Sequence, residues 1–269
     1  MSCDRAVLLL RLAGPLQAWA TRPEHGRRDT QGRPTKSGVL GLLAAAQGRA
    51  RGEEITDLVG LSMAVRVDQP GELLRDYHTT SDHRGIPLRS TQVNSKGEQK
   101  LTSPVKSTYV TQRFYLQDAV FVVALAGPAV LIDGLADAVR NPAFPLALGR
   151  RSCPPTQPVL LPMPDRDEYG QEVESVLRVV PWQAGPGARQ AHQKNKDPET
   201  VRLQATIEDS NGEYTEEDVP ASFALGMRTR GQRRVRHITV SVPTGLPPSA
   251  HSSRFREDDA HDPFELLGW

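Results

Sequence analysis

Cysteine is nearly absent from this chain, since only Cys3 and Cys153 occur among its 269 residues. Two distant cysteines cannot build the disulfide framework of a small secreted protein or the Cys-x-x-Cys ligands of a zinc ribbon. The histidines likewise show no spacing with cysteine or acidic residues that suits a metal ion. The sequence therefore predicts a protein of a reducing compartment, with no metal site and no cofactor.

Long apolar runs are missing as well. Residues 7–12 are apolar apart from Arg11, and this run is too short for a membrane span or a signal-peptide core. We therefore expect a cytoplasmic protein without a membrane partner. The formal net charge is only +1, so a nucleic-acid role must be argued from where the basic residues lie. Hydrophobic residues make up 38% of the chain, which allows a packed core.

Apolar spacing predicts the element order β-α-β-insert-β-α-β in the first part of the chain. Strands are predicted at residues 5–12, 61–67, 119–125 and 159–161, and helices at 34–46 and 129–140. Later strands are predicted at residues 177–181, 201–207 and 234–242, with loops at 185–198 and 209–218. This order matches an α+β, ferredoxin-like (RRM-like) sandwich with helices on one face of the sheet.

Residues 75–115, called the insert below, contain seven Lys/Arg residues against three acidic ones. A structureless segment of this length is unusual within a compact domain. The sequence Asn-Ser-Lys-Gly at residues 94–97 is a turn signal, so the insert is predicted to form a long β-hairpin. We expect residues 1–162 to form the core around the insert. Residues 163–269 are expected to form a β-rich part that completes or extends the same domain.

Several segments of the first part of the chain resemble one family. They are LRLAGPLQAWA (10–20), RPTKSGVLGLLAAAQG (33–48), LRDYHT (74–79), RFYLQDAVFVVAL (113–125) and LGRRSCPP (148–155). This is the CasD family, a subunit of the type I-E CRISPR surveillance complex, Cascade, within the RAMP superfamily. The resemblance covers about the first 160 residues in the right order and spacing.

The resemblance implies a ferredoxin-like core with an arching β-hairpin, or thumb, whose place the insert takes. It implies a subunit that holds the 5′ handle of the CRISPR RNA at one end of the complex, with its thumb across the guide. Implied partners are the Cascade backbone subunit, the large subunit and, through the complex, double-stranded target DNA. The family implies no catalytic residues in this subtype, because a separate RAMP subunit cuts the repeat RNA.

Two adjacent arginines, Arg150 and Arg151, follow Gly149 in a tight bend. Arginine presents a fork of donors that suits phosphate oxygens, and glycine lets a backbone approach RNA closely. The residues alone slightly favour a solvated surface pair, whereas the resemblance favours RNA contact, with either arginine open to a protein interface instead. Ser152 and Cys153 are included in this contact, although Cys153 is expected to be a small packed residue and not a nucleophile.

Lys36 and Ser37 open the first predicted helix, where free N–H groups can bind a phosphate. From the residues alone, phosphate binding and a plain capped helix with a solvated lysine are equally open. The resemblance favours RNA contact. The pattern is not a P-loop, because Gly38-x-x-Gly41 follows the lysine instead of preceding it. We therefore expect no nucleotide cofactor.

The remaining candidates for RNA contact are basic and aromatic. They are Arg27 and Arg28, in a basic loop, and Tyr77, His78, Lys106, Tyr109 and Arg113, in the insert. Aromatic rings can stack on splayed bases, and the alternatives are a solvated loop or core packing. His78 near Lys106 or Tyr109 keeps a rival open, a metal-independent repeat endoribonuclease. A second rival is a protein-bridging subunit with little RNA contact.

Overall fold

The computed structural model describes residues 5–20, 26–101, 105–162, 172–193, 199–224 and 229–246, with the backbone alone at 90–93. Its strands are β1 (Arg5–Ala13), β2 (Leu16–Gln17), β3 (Arg27–Arg28), β4 (Ser62–Gln69), β5 (Glu72–Ser81), β6 (Arg89–Val93), β7 (Gln99–Leu101), β8 (Thr108–Gln117), β9 (Val120–Pro128), β10 (Thr200–Glu208), β11 (Tyr214–Pro220) and β12 (Arg230–Pro243). Its helices are α1 (Lys36–Ala46), α2 (Thr56–Val59), α3 (Ala129–Arg140), α4 (Val173–Val179) and α5 (Pro186–His192).

A six-stranded antiparallel sheet with the order β1-β9-β4-β10-β12-β11 organises these elements. Residues 159–161 flank the free edge of β1 through a single bridge between Leu10 and Leu160. The later strands extend the sheet on the other side, because β10 pairs with β4. The protein is therefore a mixed α+β fold built on a mostly antiparallel sheet.

Both faces of the sheet are buried, which explains why β1 reads as a continuous apolar run. Leu8, Leu10 and Leu12 belong to the core cluster that contains α1 and α3. Val7 and Leu9 point to the opposite face and pack in the cluster that contains α4. Side chains alternate along a strand, so a strand covered on both faces must be apolar at successive positions.

Most of the predicted elements are confirmed, and the misses lie in the second half of the chain. The predicted strand at residues 177–181 is wrong, because α4 continues to Val179 and packs its apolar side on the sheet. The expectation of helices on one face is wrong for the same reason, since α4 covers the second face. The predicted loops contain α5 and the beginning of β11. Residues 163–171, at the start of the expected β-rich part, lie outside the described residues.

The insert forms the long hairpin that its turn signal predicts. Strands β5 and β8 pair from Glu72–Gln117 to Ser81–Thr108, and β6 pairs with β7 nearer the tip. At the tip the Asn94 side chain accepts hydrogen bonds from the backbone N–H groups of Lys96 and Glu98, and Gly97 has a φ of +77°. Strands β2 and β3 lie along the other edge of β8, near the root of the hairpin.

A buried ion pair ties the second half of the chain to the first. Arg66 and Asp68 on β4 are fully buried and joined by two hydrogen bonds of 2.7 and 2.8 Å. The Arg66 guanidinium also donates to the carbonyls of Leu177, Val180 and Pro181 at the end of α4. A cation there complements the negative end of the helix.

No helix among the described residues is long and apolar enough to cross a membrane.

Candidate nucleic-acid interface

The root of the long hairpin brings most of the predicted RNA-binding residues to one place. Strand β8 is its centre, with β3 on one edge and β5 on the other. Arg28 lies in register with Arg113, which in turn lies opposite Asp76. Residues two apart on a strand share a face, so the small sheet sorts these side chains onto two faces.

The first face, called the basic face, carries Arg28, Arg113, His78 and Tyr115, with Arg150 stacked on the ring of Tyr115 at 4.7 Å. The second face, called the stacking face, carries Arg27, Tyr77 and Phe114. Arg27 lies over the Phe114 ring at 4.8 Å and pairs with Asp29. The Tyr77 ring is 60% exposed, so a planar group can reach it. The predicted phosphate-binding and stacking residues are therefore divided between the two faces, since Arg27 lies with Tyr77 whereas His78 lies with Arg28 and Arg113.

Arg150 is bound to the protein's own backbone. Its guanidinium donates to the carbonyl of Phe114 at 3.1 Å, of Arg28 at 2.6 Å and of Asp29 at 3.4 Å. Together with the ring of Tyr115, these acceptors surround the planar fork on both its edge and its face. The residue that sequence reasoning placed first for RNA contact is thus engaged in holding two strands together.

Arg151 has very different surroundings, although it is the next residue. It lies at the exposed corner of a turn closed by the hydrogen bond from the Cys153 N–H to the Arg150 carbonyl, at 2.9 Å. Ser152 occupies the other exposed corner of that turn, whereas Cys153 is fully buried. Burial raises the pKa of the Cys153 thiol, so this residue packs as a small apolar group and does not reach RNA.

Gly149 explains how the bend can form. Its φ is +88°, a left-handed conformation that favours glycine. A Cβ atom at this position would lie 1.9 Å from the carbonyl oxygen of Ala18, so the loop presses directly on the chain after β2. The expected close approach is therefore real, but its partner is the protein's own backbone.

Three arginines lie on or beside the basic face with their side chains unpaired in the part of the chain that the structure describes. Among the described residues, Arg28, Arg113 and Arg151 make no side-chain hydrogen bond or ion pair. Asp76 lies opposite Arg113 across the strands, but its carboxylate pairs with His78 instead. Arg28 and Arg151 are exposed and Arg113 is half-buried. Such guanidinium groups can bind phosphate oxygens without first breaking an internal ion pair.

The core arginine of β12 shows the opposite pattern. Arg233 is buried and donates to Asp218 at 2.6 and 2.9 Å and to Glu216 at 3.0 Å. Its neighbouring carboxylates raise the pKa of this guanidinium despite its burial. This cluster fastens β11 and β12 to the start of α1. Its charges balance, because Arg33, Lys36 and Arg233 face the three carboxylates Glu208, Glu216 and Asp218.

Lys36 belongs to that cluster, and its expected contact with RNA is corrected here. The side chain is buried, and its ammonium lies 2.9 Å from Glu208. The backbone N–H of Lys36 donates to Asp218 at 2.7 Å. The start of α1 does receive an anion, as the sequence suggested, but the anion is a carboxylate of the same chain. Ser37 is half-buried in that first turn, and its hydroxyl lies 3.4 Å from the hydroxyl of Thr35.

The remaining candidates of the insert lie farther along the hairpin. Tyr109 faces Thr80 across the strands, and its hydroxyl donates to the Arg89 carbonyl at 3.2 Å. The exposed Lys106 precedes β8, and its carbonyl accepts a hydrogen bond from the Leu88 N–H. His78 shares the basic face with Tyr109, two cross-strand pairs away. No group of three His, Cys, Asp or Glu side chains in the described residues could hold a metal ion.

Sequence reasoning missed two members of this region. Asp76 holds His78, and Arg75, exposed on the stacking face opposite Phe114, makes no hydrogen bond or ion pair among the described residues. The alternation of a strand could have placed Arg75 beside Tyr77 on that face once the hairpin register was known.

Comparisons with known proteins agree on one family. The model of the CRISPR-associated protein family Cas5 matches residues 7–236. The CRISPR system Cascade subunit CasD of Escherichia coli (strain K12) is 38% identical over 178 residues, 58% of this chain and 70% of the relative. A chain of a solved CRISPR RNA-guided surveillance complex superimposes with a TM-score of 0.71 at 34% identity, covering 91% of this chain and 95% of the other. A crystal structure of a Cas protein superimposes with a TM-score of 0.62 at 36% identity, covering 90% of this chain and 100% of the other.

Proposed function

Because the chain belongs to the Cas5 family of CRISPR-associated proteins, we propose that it is the CasD-type subunit of a CRISPR RNA-guided surveillance complex. In this role it holds the 5′ handle of the CRISPR RNA on the basic face and caps one end of the assembly. It acts in the cytoplasm, in antiviral defence. The observation that supports this function best is the set of unpaired arginines Arg28, Arg113 and Arg151 at the root of the hairpin.

The fold supports the same proposal at a finer level. The order 159–161, β1, β9, β4, with α1 and α3 on one face, is the order of a ferredoxin-like core. The insert, with β5 and β8 as its arms, is the thumb. The strand pairing of β10 with β4 favours one domain, in which residues 163–269 extend the core formed by residues 1–162.

Phosphate binding by the basic face follows from the charges. A guanidinium that has no carboxylate partner retains its full electrostatic attraction for a phosphate, whereas a paired one has to exchange partners. The acidic cluster of Glu208, Glu216 and Asp218 surrounds Lys36 and Arg233, away from the hairpin root. The RNA path therefore follows β8 and avoids the outer strands β11 and β12.

The stacking face gives the hairpin a second mode of contact. Tyr77 can stack on an unpaired base, while Arg75 beside it neutralises the adjacent phosphate. On the basic face, Tyr109 extends the contact toward the tip together with Lys106. At the tip the thumb lies across the guide and displaces a base. The neighbouring backbone subunit and the large subunit complete the assembly, which recognises double-stranded target DNA through its guide.

We assign no catalytic residue. Cleavage without a metal needs a general base at the 2′-hydroxyl and an acid at the leaving oxygen. Asp76 could orient His78 as such a base, but Tyr109 donates its hydroxyl proton to a backbone carbonyl, and the relative that this chain matches is a Cascade subunit. Incubation of the protein with its cognate repeat RNA in chelator tests this assignment. Cleavage at one site that disappears in His78→Ala would establish the endoribonuclease instead.

The RNA-binding role is tested by the salt dependence of handle affinity. Arg28→Ala, Arg113→Ala and Arg151→Ala should each weaken binding of a CRISPR RNA with an intact 5′ handle. Each should reduce the slope of log K against log salt by about 0.7 for a single strand. Arg178→Ala is the matched control, because Arg178 is exposed, as Arg28 and Arg151 are, but is already paired with Glu174 on α4. Unchanged affinity and slope in all three variants would favour a protein-bridging subunit with little RNA contact.

A further inference from the structure

The two adjacent arginines of the bend have separate tasks, and we infer that Arg150 positions the RNA-binding face while Arg151 contacts the RNA itself. This inference rests on the proposed function, because it divides the work within one site. Its basis is geometric: consecutive residues with the same side chain have unlike surroundings. One guanidinium is enclosed by protein acceptors, and the other is exposed.

Arg150 joins three parts of the chain that are distant in sequence. Its carbonyl acceptors on β8 and at the end of β3 lie 36, 121 and 122 positions away along the chain. All of them are backbone atoms, so the guanidinium sets where the strands lie and not merely where a side chain points. The ring of Tyr115, buried at 4% exposure, fixes the plane of the fork from below.

Strand β3 depends on this link because it has few other bonds. It is two residues long, and the hydrogen bond from Gln112 N–H to the Gly26 carbonyl is its neighbouring attachment to β8. Arg28 presents its side chain on the basic face only while β3 stays in register with β8. Arg150 therefore positions Arg28, although it need not touch the RNA.

Arg151 depends on the same link through the turn that carries it. The Leu148 N–H donates to the Cys153 carbonyl at 2.7 Å, and the Ala18 N–H donates to the Leu148 carbonyl at 3.1 Å. These bonds hold the base of the turn, while the Arg150 side chain anchors its first corner. Arg151 then projects from the second position, with no internal acceptor among the described residues.

Charge-conserving substitutions separate the two tasks. Lysine keeps the positive charge but cannot present a planar fork to several carbonyls and a ring at once. Arg151→Lys should therefore bind handle RNA within about twofold of the parent protein, since a point charge still attracts a phosphate. Arg150→Lys should lose affinity to nearly the same extent as Arg150→Ala, about tenfold or more, because the arrangement and not the charge is lost.

Hydrogen exchange of the RNA-free protein is the second measurement. Arg150→Lys and Arg150→Ala should accelerate amide exchange in residues 26–31 and 148–153, while Arg151→Ala should leave those rates unchanged. The rest of the sheet, for example β1 and β9, serves as the internal control for global folding. Accelerated exchange confined to the two loops would show that the variants fold.

The outcomes separate the inference from the function on which it rests. Parent-like RNA affinity in Arg150→Lys with unchanged exchange would overturn the positioning role and make Arg150 a direct phosphate contact. A second outcome is accelerated amide exchange in the Arg150 variants with unaltered RNA affinity in every arginine variant. It would support the role of Arg150 in the fold and contradict the RNA site. Loss of affinity in Arg150→Lys, retention in Arg151→Lys and local loosening are the expected results.

Discussion

At the scale of single residues, neighbouring positions of the bend at residues 149–152 have opposite surroundings, some in contact with the protein and others exposed. Gly149 and Arg150 face inward, toward Ala18 and the strands, while Arg151 and Ser152 face outward. The sequence presents all four as one polar bend, because neither exposure nor hydrogen-bond partners can be deduced from residue type. What decides them is the backbone conformation at Gly149, which sends the chain back on itself.

Gly149→Ala is expected to destabilise the protein by about 2 kcal/mol or more. An alanine there has an unfavourable φ, and its Cβ would collide with the Ala18 carbonyl. The melting temperature should fall by about 4–8 °C. Gly134→Ala is the matched control: it lies in α3, with nothing within 4 Å of the added Cβ, and should be neutral or slightly stabilising. Equal melting temperatures for the two variants would contradict this account.

At the scale of elements, the hairpin is an appendage to the core. No described residue of 82–107 belongs to either hydrophobic cluster, although residues such as Ile86 and Val105 are apolar and exposed. Exposed apolar side chains on a projecting hairpin are typical of a surface that is covered in an assembly. The hairpin therefore contributes to interaction more than to stability.

Shortening the hairpin should leave the fold nearly unaltered. Ser81 and Thr108 lie directly opposite each other, so residues 82–107 can be replaced by Asn-Gly, which forms a two-residue turn. The unfolding free energy should change by less than about 1 kcal/mol, because no buried contact is removed. Chemical denaturation measures this value, and the same variant should fail to protect the guide from ribonuclease next to the handle. A collapse of stability would show that the tip supports the core.

Helix α4 is attached to the sheet by a carboxylate whose protonation can be followed. Glu174 pairs with Arg178 on its own helix and with Arg236 on β12. The Arg178 hydrogen bond, assisted by Arg236, holds the pKa of Glu174 below its usual value. A carboxyl whose pKa is lowered by folding stabilises the protein at pH values above the ordinary glutamate pKa, which is about 4.3. This contribution disappears as the pH falls through the lowered value.

Glu174→Gln should therefore lower the unfolding free energy by about 1 kcal/mol at neutral pH. The difference in unfolding free energy between the variant and the parent protein should disappear as the pH falls below about 4. Denaturation curves recorded at several pH values measure it. The exposed Glu213→Gln is the comparison for a change of net charge alone, because the Glu213 side chain makes no hydrogen bond or ion pair among the described residues. A gap that stays constant into acid would mean that the Glu174 charge does not hold α4.

The elements of the first half could be predicted because their signals are local. Strand β9 and helix α3 follow directly from β-branched runs and 3.6-residue spacing. Helix α4 was missed because the predicted strand, residues 177–181, is too short for its apolar spacing to distinguish a strand from the end of a helix. Only the packing of α4 against the sheet decides between them. The burial of Lys36 in an ion pair could not be predicted from the sequence, because its partners lie more than 170 positions away along the chain.

At the scale of the whole molecule, the two halves of the chain share one sheet and one set of buried charges. Strand β10 covers the edge of β4, and Arg66 on β4 holds the end of α4. Asp218 supplies the acceptor at the start of α1. Each link buries a charged or polar group whose partner comes from the other half, so removal of either half leaves unpaired charges in the core.

The full chain should therefore unfold in a single cooperative transition. The calorimetric and van't Hoff enthalpies should agree. A fragment ending at residue 162 should fail to fold, because Lys36 would lose Glu208, Arg66 would lose its carbonyl acceptors at the end of α4, and β4 would keep an open edge. Circular dichroism and the dispersion of the amide NMR spectrum measure this. Two separate transitions, or a dispersed spectrum for the fragment, would show that the halves are independent domains.

The hydrogen bond between the Lys36 backbone and Asp218 also sets an order on synthesis. The two residues are 182 positions apart, so α1 lacks its acceptor until the ribosome has made most of the chain. Until β10 is made, the nascent protein also carries an uncovered β4 edge, a surface that invites pairing with other chains. Chaperone demand should thus be concentrated between translation of β4 and translation of β10, and the start of α1 gains its acceptor only when β11 follows.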